Sequence, residues 1–137
     1  MDLDRPMVSL ARQAQSPTAI IRRFETPERL LVFDRGRLEV ITVGGKVFGK
    51  GSYEPGWRGS GSAKAALRGV HKPPEHVGVV LSGRAKLLIN EDREIDLTPG
   101  DLFHLATEYE CWVVGYRPCK VLYLSGVETL VDRLQKD

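Results

Sequence analysis

Residues 70–83 read VHKPPEHVGVVLSG, and this stretch decides the fold that the sequence predicts. Pro73 and Pro74 forbid a helix and remove two backbone donors, so we expect His71 to end one strand and His76 to begin the next. Side chains of the second strand alternate between two faces, with His76, Gly78 and Val80 on one and Val77, Val79 and Leu81 on the other. Because most of these residues are apolar or small, we expect the strand to be buried on both faces.

Short extended segments continue on both sides of this stretch, separated by Gly and Pro turns. Gly44-Gly45 predicts a two-residue hairpin turn between strands at 37–43 and 46–50, and a second hairpin is predicted within 83–95. Further strands are predicted at 19–21, 30–33, 102–105, 111–114 and 120–124, whereas residues 59–64 are predicted to form a flexible loop. This pattern is typical of an antiparallel sandwich or barrel, and a double-sheet jelly roll suits the length.

The composition predicts one nearly neutral domain. The chain has 137 residues, 42% of them hydrophobic, which suffices for a single core. Its 20 basic and 18 acidic residues are scattered, so no charge block predicts a nucleic-acid or membrane surface. Cys111 and Cys119 make no disulfide framework and are not expected to face one another. With no leader and no membrane-spanning apolar run in the sequence, we expect a cytoplasmic protein with reduced thiols.

Two short motifs resemble those of the cupin superfamily. The first is a histidine, a short polar gap, a strand and Ser82-Gly83-Arg84, and the second is LTPGD at residues 97–101. The resemblance spans about residues 23–126. It implies an all-β, double-stranded β-helix or jelly-roll cupin barrel at 23–126, preceded by an N-terminal arm at 1–22. Helical spacing of Val127, Leu130, Val131 and Leu134 predicts a short amphipathic C-terminal helix at 127–137.

The family's metal ligands are only partly matched. In cupins, three histidines and a glutamate from the two motifs bind one metal ion inside the barrel. With Gly83 as the last glycine of the first motif, Gly69 and His71 stand at its two histidines and His76 stands at its glutamate. With Gly100 opening the second motif, Cys111 stands at its histidine and Gly115 at its asparagine. The motifs thus keep the family's spacing but not its chemistry.

Two interpretations of these departures stay open. In the first, His71, His76 and Cys111 form an altered metal site. Imidazole and thiolate ligands suit an ion such as Zn(II). The other candidate metals are Fe, Mn and Ni. In the second, the site has lost its metal and no cofactor is bound. Glu75, of opposite parity to His76, is expected to be a solvated carboxylate.

Four residues are predicted to line a ligand pocket in the barrel: Trp57, Gly78, His104 and Tyr109. Trp57 follows a Glu-Pro-Gly segment that resembles the one before the first motif of cupins, and Tyr109 lies two residues before Cys111. Gly69 and Gly78 are expected to leave space in the barrel. Each residue also has a plain structural interpretation, such as a core or rim position. No residue is assigned a catalytic role.

Three functions remain open at this level. The first is a small-molecule-binding cupin module, a sensor or accessory protein, with a cavity on the order of several hundred Å³. The second is a metal-dependent enzyme of the isomerase or dioxygenase type. The third is a structural dimerising domain with a filled barrel. A homodimer is expected in each case, because cupins commonly dimerise and the apolar residues of 7–10 suit strand exchange.

Overall fold

The computed structural model describes residues 18–61 and 75–136 of the chain. These residues form ten strands and one helix: β1 (Arg29–Phe33), β2 (Gly36–Val43), β3 (Lys46–Tyr53), β4 (Arg58–Gly61), β5 (His76–Ser82), β6 (Arg84–Ile89), β7 (Arg93–Leu97), β8 (Leu102–Leu105), β9 (Tyr109–Val114), β10 (Cys119–Ser125) and α1 (Val127–Lys136). In the described ranges, no helix is long and apolar enough to cross a bilayer.

The strands form two antiparallel sheets. The larger sheet has the order β1-β2-β3-β10-β5-β8 and the smaller has the order β4-β9-β6-β7. Alternate side chains from both sheets form one buried cluster, with Val80 and Val121 from the larger sheet and Leu87 and Val113 from the smaller. These two sheets confirm the predicted all-β double-sheet architecture. When two sheets pack face to face, each buries one of its faces in the shared core.

The helix α1 closes one side of this core. It contacts β1, β3 and β5 of the larger sheet. Val127, Leu130 and Val131 are buried, as their helical spacing predicts. The terminal helix is therefore part of the core.

The predicted hairpins have the backbone that tight turns require. Gly44 and Gly45 have φ of 59° and 78°, and Val43 pairs with Lys46 across the turn. Two successive positive φ values are the signature of the turn that best matches strand twist, which explains why two glycines stand there. Between β6 and β7, Asn90 and Glu91 also have positive φ, of 54° and 67°.

The turn of the second motif is fixed onto the strand of the first. Oδ2 of Asp101 accepts hydrogen bonds from the backbone N–H of Thr98 at 2.8 Å and from its hydroxyl at 3.1 Å. The N–H of Gly100 donates to the carbonyl of Val80 at 2.8 Å. The two motifs thus meet at the end of β5.

Two of the local predictions were wrong. Residues 19–21 form no strand, and Ile20 and Ile21 are 56% and 78% exposed, so their β propensity is not supported by burial. The predicted loop at 59–64 begins as strand β4, which pairs with β9 through Gly61. Gly59 is small because a Cβ there would lie 2.5 Å from the ring of Trp57. Residues 62–64 lie outside the described residues.

Strand β5 is buried on one face only. His76, Gly78 and Val80 are buried, as the alternation predicted, but Leu81 on the opposite face is 46% exposed. The expectation of burial on both faces was wrong, because within the described residues the outer face of the larger sheet is only partly covered. The alternation itself is confirmed, and it places the imidazole of His76 between the sheets.

Candidate functional site

A cavity of about 60 Å³ lies between the two sheets and α1. Its apolar lining comes from both sheets and includes Leu87, Leu97, Leu105 and Val121. Its polar groups come from eight side chains: Tyr53, Trp57, His76, Tyr109, Cys111, Cys119, Tyr123 and Arg133. The cavity is smaller than the several hundred Å³ that we expected for a ligand pocket, so that expectation was wrong.

His76 is the central polar group of the cavity. Its side chain is 2% exposed, and its ring is in edge contact with the rings of Tyr123 and Tyr109, at centroid distances of 5.5 and 5.8 Å. Burial lowers the pKa of His76 to about 4, with smaller electrostatic contributions from Arg133 and His104. The imidazole is therefore neutral at pH 7. Among the described residues, its Nδ1 has no hydrogen-bond partner.

Two tyrosines pair across the same cavity. The hydroxyls of Tyr53 on β3 and Tyr123 on β10 are 2.7 Å apart, and either can donate. Burial raises the pKa of both hydroxyls well above the ordinary value, so both stay protonated. The two hydroxyls hydrogen-bond to each other, and the pair forms part of the cavity wall without adding charge.

Tyr109 and Cys111 point into the cavity from β9. They share a face of the strand, and Cys111 pairs with Leu87 of the neighbouring strand β6. Burial raises the pKa of each group to about 12, although the guanidinium of Arg133 opposes the rise at Tyr109 through its charge and through a hydrogen bond to the hydroxyl. Both groups are neutral at pH 7, which makes Cys111 a poor nucleophile as it stands. Both Cys111 and Cys119 are free thiols, as expected.

Arg133 is the site residue that the sequence interpretation missed. It lies on α1, three residues after the buried Leu130 and beside Leu134, and all three line the cavity. The available signal was its position at the edge of the apolar stripe, where a long side chain can reach inward along apolar neighbours. Its Nη1 is buried and has no hydrogen-bond partner among the described residues.

Of the four predicted pocket residues, two line the cavity and two do not. Trp57 and Tyr109 are in the wall, and the ring of Trp57 packs 4.3 Å from that of Tyr53. Gly78 leaves no space, because a Cβ there would lie 2.6 Å from the ring of Phe103, which fills this part of the barrel. Gly69, which was also expected to leave space, lies outside the described residues.

His104 lies outside the cavity, so its placement in the pocket was wrong. It pairs with Val77 across β5 and β8, and partners in an antiparallel pair share a face, which here is the outer one. Its side chain is 56% exposed, and its Nε2 lies 3.1 Å from Oε2 of Glu75. Glu75 is thus the solvated carboxylate that its parity predicted.

The described residues do not form a metal site by themselves. His71 lies outside them, and within them no three His, Cys, Asp or Glu side chains lie close enough to one another to hold a metal ion. The His and Cys side chains that do line the cavity are one neutral imidazole, of His76, and two protonated thiols, of Cys111 and Cys119, with the positive charge of Arg133 on the same wall. A resident cation would have to overcome that repulsion. The metal therefore stays a prediction that depends on His71.

The sequence matches no protein-family profile and no curated protein, but the fold is similar to many solved structures. Ectoine synthase from P. lautus is 10% identical over 85% of this chain and 87% of that one, with a TM-score of 0.59. An uncharacterized Klebsiella pneumoniae protein with a double-stranded β-helix domain is 15% identical, over 77% and 88% of the two chains, with a TM-score of 0.55.

The cupin domain of Cnp3 from Schizosaccharomyces pombe is similar as well. It is 12% identical over 76% of this chain and 74% of that one, with a TM-score of 0.51. Identities this low establish the fold alone. The two antiparallel sheets, the hollow between them and these neighbours together show that the chain folds as a cupin-type double-stranded β-helix domain.

Proposed function

We propose that this protein binds a compact organic molecule in the cavity between its two sheets, as a sensor or accessory module. The observation that carries the proposal is that His76 lines this cavity and that its buried Nδ1 has no hydrogen-bond partner among the described residues. A buried polar group without a partner is costly, so its retention in an otherwise apolar wall favours a ligand that supplies the partner. A core position without a ligand is better filled by an apolar side chain.

The size of the cavity limits the ligand. A water molecule needs about 10–15 Å³ of such space, so the volume of about 60 Å³ suits a molecule of roughly four to six non-hydrogen atoms. The rings of Trp57, Tyr109 and Tyr123 offer flat apolar contacts, and the imidazole of His76 offers a hydrogen bond. Such a ligand has a small polar head and a short apolar body.

The other two functions have less support. A metal-dependent isomerase or dioxygenase requires His71 as a ligand, and the likeness to ectoine synthase carries only the fold. A purely structural dimerising domain accounts for the fold but not for the unpartnered groups in the cavity. The homodimer itself stays a prediction, since residues 7–10, which are expected to be exchanged, lie outside the described residues.

Tryptophan fluorescence tests the proposal, because the chain has two tryptophans and only one lines the cavity. Trp112 lies on the outer face of β9 with the guanidinium of Arg58 4.8 Å from its ring. In a Trp112→Phe variant, Trp57 is the single reporter. We expect a saturable change in its emission when short alcohols, amides and carboxylic acids of four to six non-hydrogen atoms are titrated.

A pair of variants on β9 provides the control. Cys111→Leu adds bulk inside the cavity, whereas Val114→Leu places the same leucine side chain three residues away on the opposite face. In the Trp112→Phe background, Cys111→Leu should abolish the saturable signal and Val114→Leu should retain it. If no compound gives a signal that Cys111→Leu removes, the proposed binding function is wrong.

A further inference from the structure

Arg133 brings a positive charge to the wall of a cavity that holds no counter-charge in the described part of the chain. No aspartate or glutamate is among the described residues that line the cavity. The buried Nη1 of Arg133 has no hydrogen-bond partner within 18–61 and 75–136. Arginine stays protonated at all ordinary pH values, so this charge cannot be removed by deprotonation.

A second polar atom in the same cavity lacks a partner. Nδ1 of His76, on strand β5, is also buried and unpartnered among the described residues. The imidazole is neutral and can present an N–H donor toward the cavity. Two independent elements, β5 and α1, therefore both supply unmatched hydrogen-bonding capacity to one small space.

We propose that the ligand of this cavity is a short monocarboxylate, held by Arg133 and His76. This inference rests on the proposed binding function and names its ligand class. A carboxylate supplies one negative charge to match one guanidinium, and its two oxygens can accept from Nη1 of Arg133 and from the imidazole N–H. The apolar side chains of Leu87, Leu97 and Leu105 surround the remaining carbon atoms.

The size and charge of the site distinguish a carboxylate from a phosphate. Propionate has five non-hydrogen atoms, within the range of about four to six that the cavity accommodates. Inorganic phosphate carries a larger charge at pH 7, so a single guanidinium would leave it poorly neutralised. It also has no apolar part to contact the leucines. The site should therefore select a short acid over phosphate.

The test compares propionate with propionamide, its uncharged counterpart, and with inorganic phosphate. Each is titrated into the full chain carrying Trp112→Phe, at constant ionic strength, with Trp57 emission as the readout. We expect propionate to bind at least about tenfold more tightly than propionamide, since hydrogen bonds to charged groups are the stronger ones. Phosphate should bind more weakly than propionate.

Variants of Arg133 test whether its charge causes the preference for propionate over propionamide. Arg133→Gln should remove the preference for propionate, and Arg133→Lys should keep part of it because the charge remains. Arg117→Gln, which removes an exposed arginine away from the cavity, should change nothing. Should Arg133→Gln fail to fold, the comparison of propionate with propionamide in the parent decides alone.

The possible failures are distinguishable. If propionamide or phosphate binds as tightly as propionate, or if Arg133→Gln keeps the preference, the monocarboxylate inference is overturned while ligand binding stands. If none of the compounds binds, the proposed binding function fails as well.

Discussion

Replacing Gly126 with alanine should lower the free energy of unfolding by about 3–5 kcal/mol. Gly126 has φ of 77° and links β10 to α1. A Cβ there would collide with the backbone carbonyl of Glu75 and would lie 2.6 Å from Cβ of His76. Neither neighbour is the free end of a flexible side chain, so the backbone itself would have to move. Gly126 thus allows the helix that carries Arg133 to lie beside the strand that begins with His76.

Gly44→Ala is the matched control for this substitution. Gly44 also has a positive φ, of 59°, but a Cβ there meets nothing within 4 Å. Its alanine variant should lose only about 1–2 kcal/mol, from the backbone conformation alone. Chemical denaturation of the two variants separates the cost of the steric collision from the cost of the backbone conformation. Equal losses for both variants would contradict the close approach of α1 to β5, because the added Cβ on residue 126 would then collide with nothing.

Acidification from pH 6.5 to pH 4 should remove about 3 kcal/mol of stability through His76 alone. In the folded state its pKa is lowered to about 4, mainly by burial, whereas in the unfolded state it has the ordinary value of 6.5. Between these two pH values the unfolded chain binds a proton that the folded chain does not. Stability from this group is therefore complete above pH 6.5 and decreases as the pH falls toward 4.

Substitution of His76 isolates this contribution from that of the carboxylates. His76→Phe retains a flat ring and removes the titrating group, and it should be tolerated because the Nδ1 it removes has no described partner. Denaturation curves at pH 7.5, 6, 5 and 4 should show a steeper loss in the parent than in His76→Phe. His104→Gln, at an exposed histidine, should keep most of the parent's loss, because burial is the largest cause of the lowered pKa of His76 and His104 the smallest. If the parent and His76→Phe respond identically, His76 is not buried as described.

Local sequence signals predicted much of the fold. Gly44-Gly45 and the turn before Asp101 have a backbone that few other sequences adopt, so the neighbouring strands could be placed from the sequence. The segment at 19–21 failed for the opposite reason. Its two isoleucines suit a strand, but strand formation depends on a partner and on burial, which no local signal encodes.

The candidate site was only partly predictable, because its residues come from both sheets and the helix. Alternation placed His76 inward on β5 and put Tyr109 on the same face as Cys111. It could not tell that β8 orients His104 outward, since this depends on its register with Val77. Likewise, Phe103 fills the space beside Gly78 from a different strand.

Arg133 illustrates a different limit of sequence interpretation. In the sequence it is one of four charged residues in the amphipathic helix at 127–136, and such residues are usually solvated. Only the packing of α1 against the barrel brings Arg133 to the cavity wall and buries its Nη1. The charge of the site therefore came from an element that neither cupin-like motif contains.

The most direct test of the account is an isotope-filtered NOE measurement on propionate labelled with ¹³C in its methyl group. Binding between the sheets predicts NOEs from that methyl group to ring protons of Trp57, Tyr109 or Tyr123, all of which line the cavity. NOEs confined to an exposed side chain such as Tyr116, or none at saturating propionate, would contradict a ligand site inside this barrel.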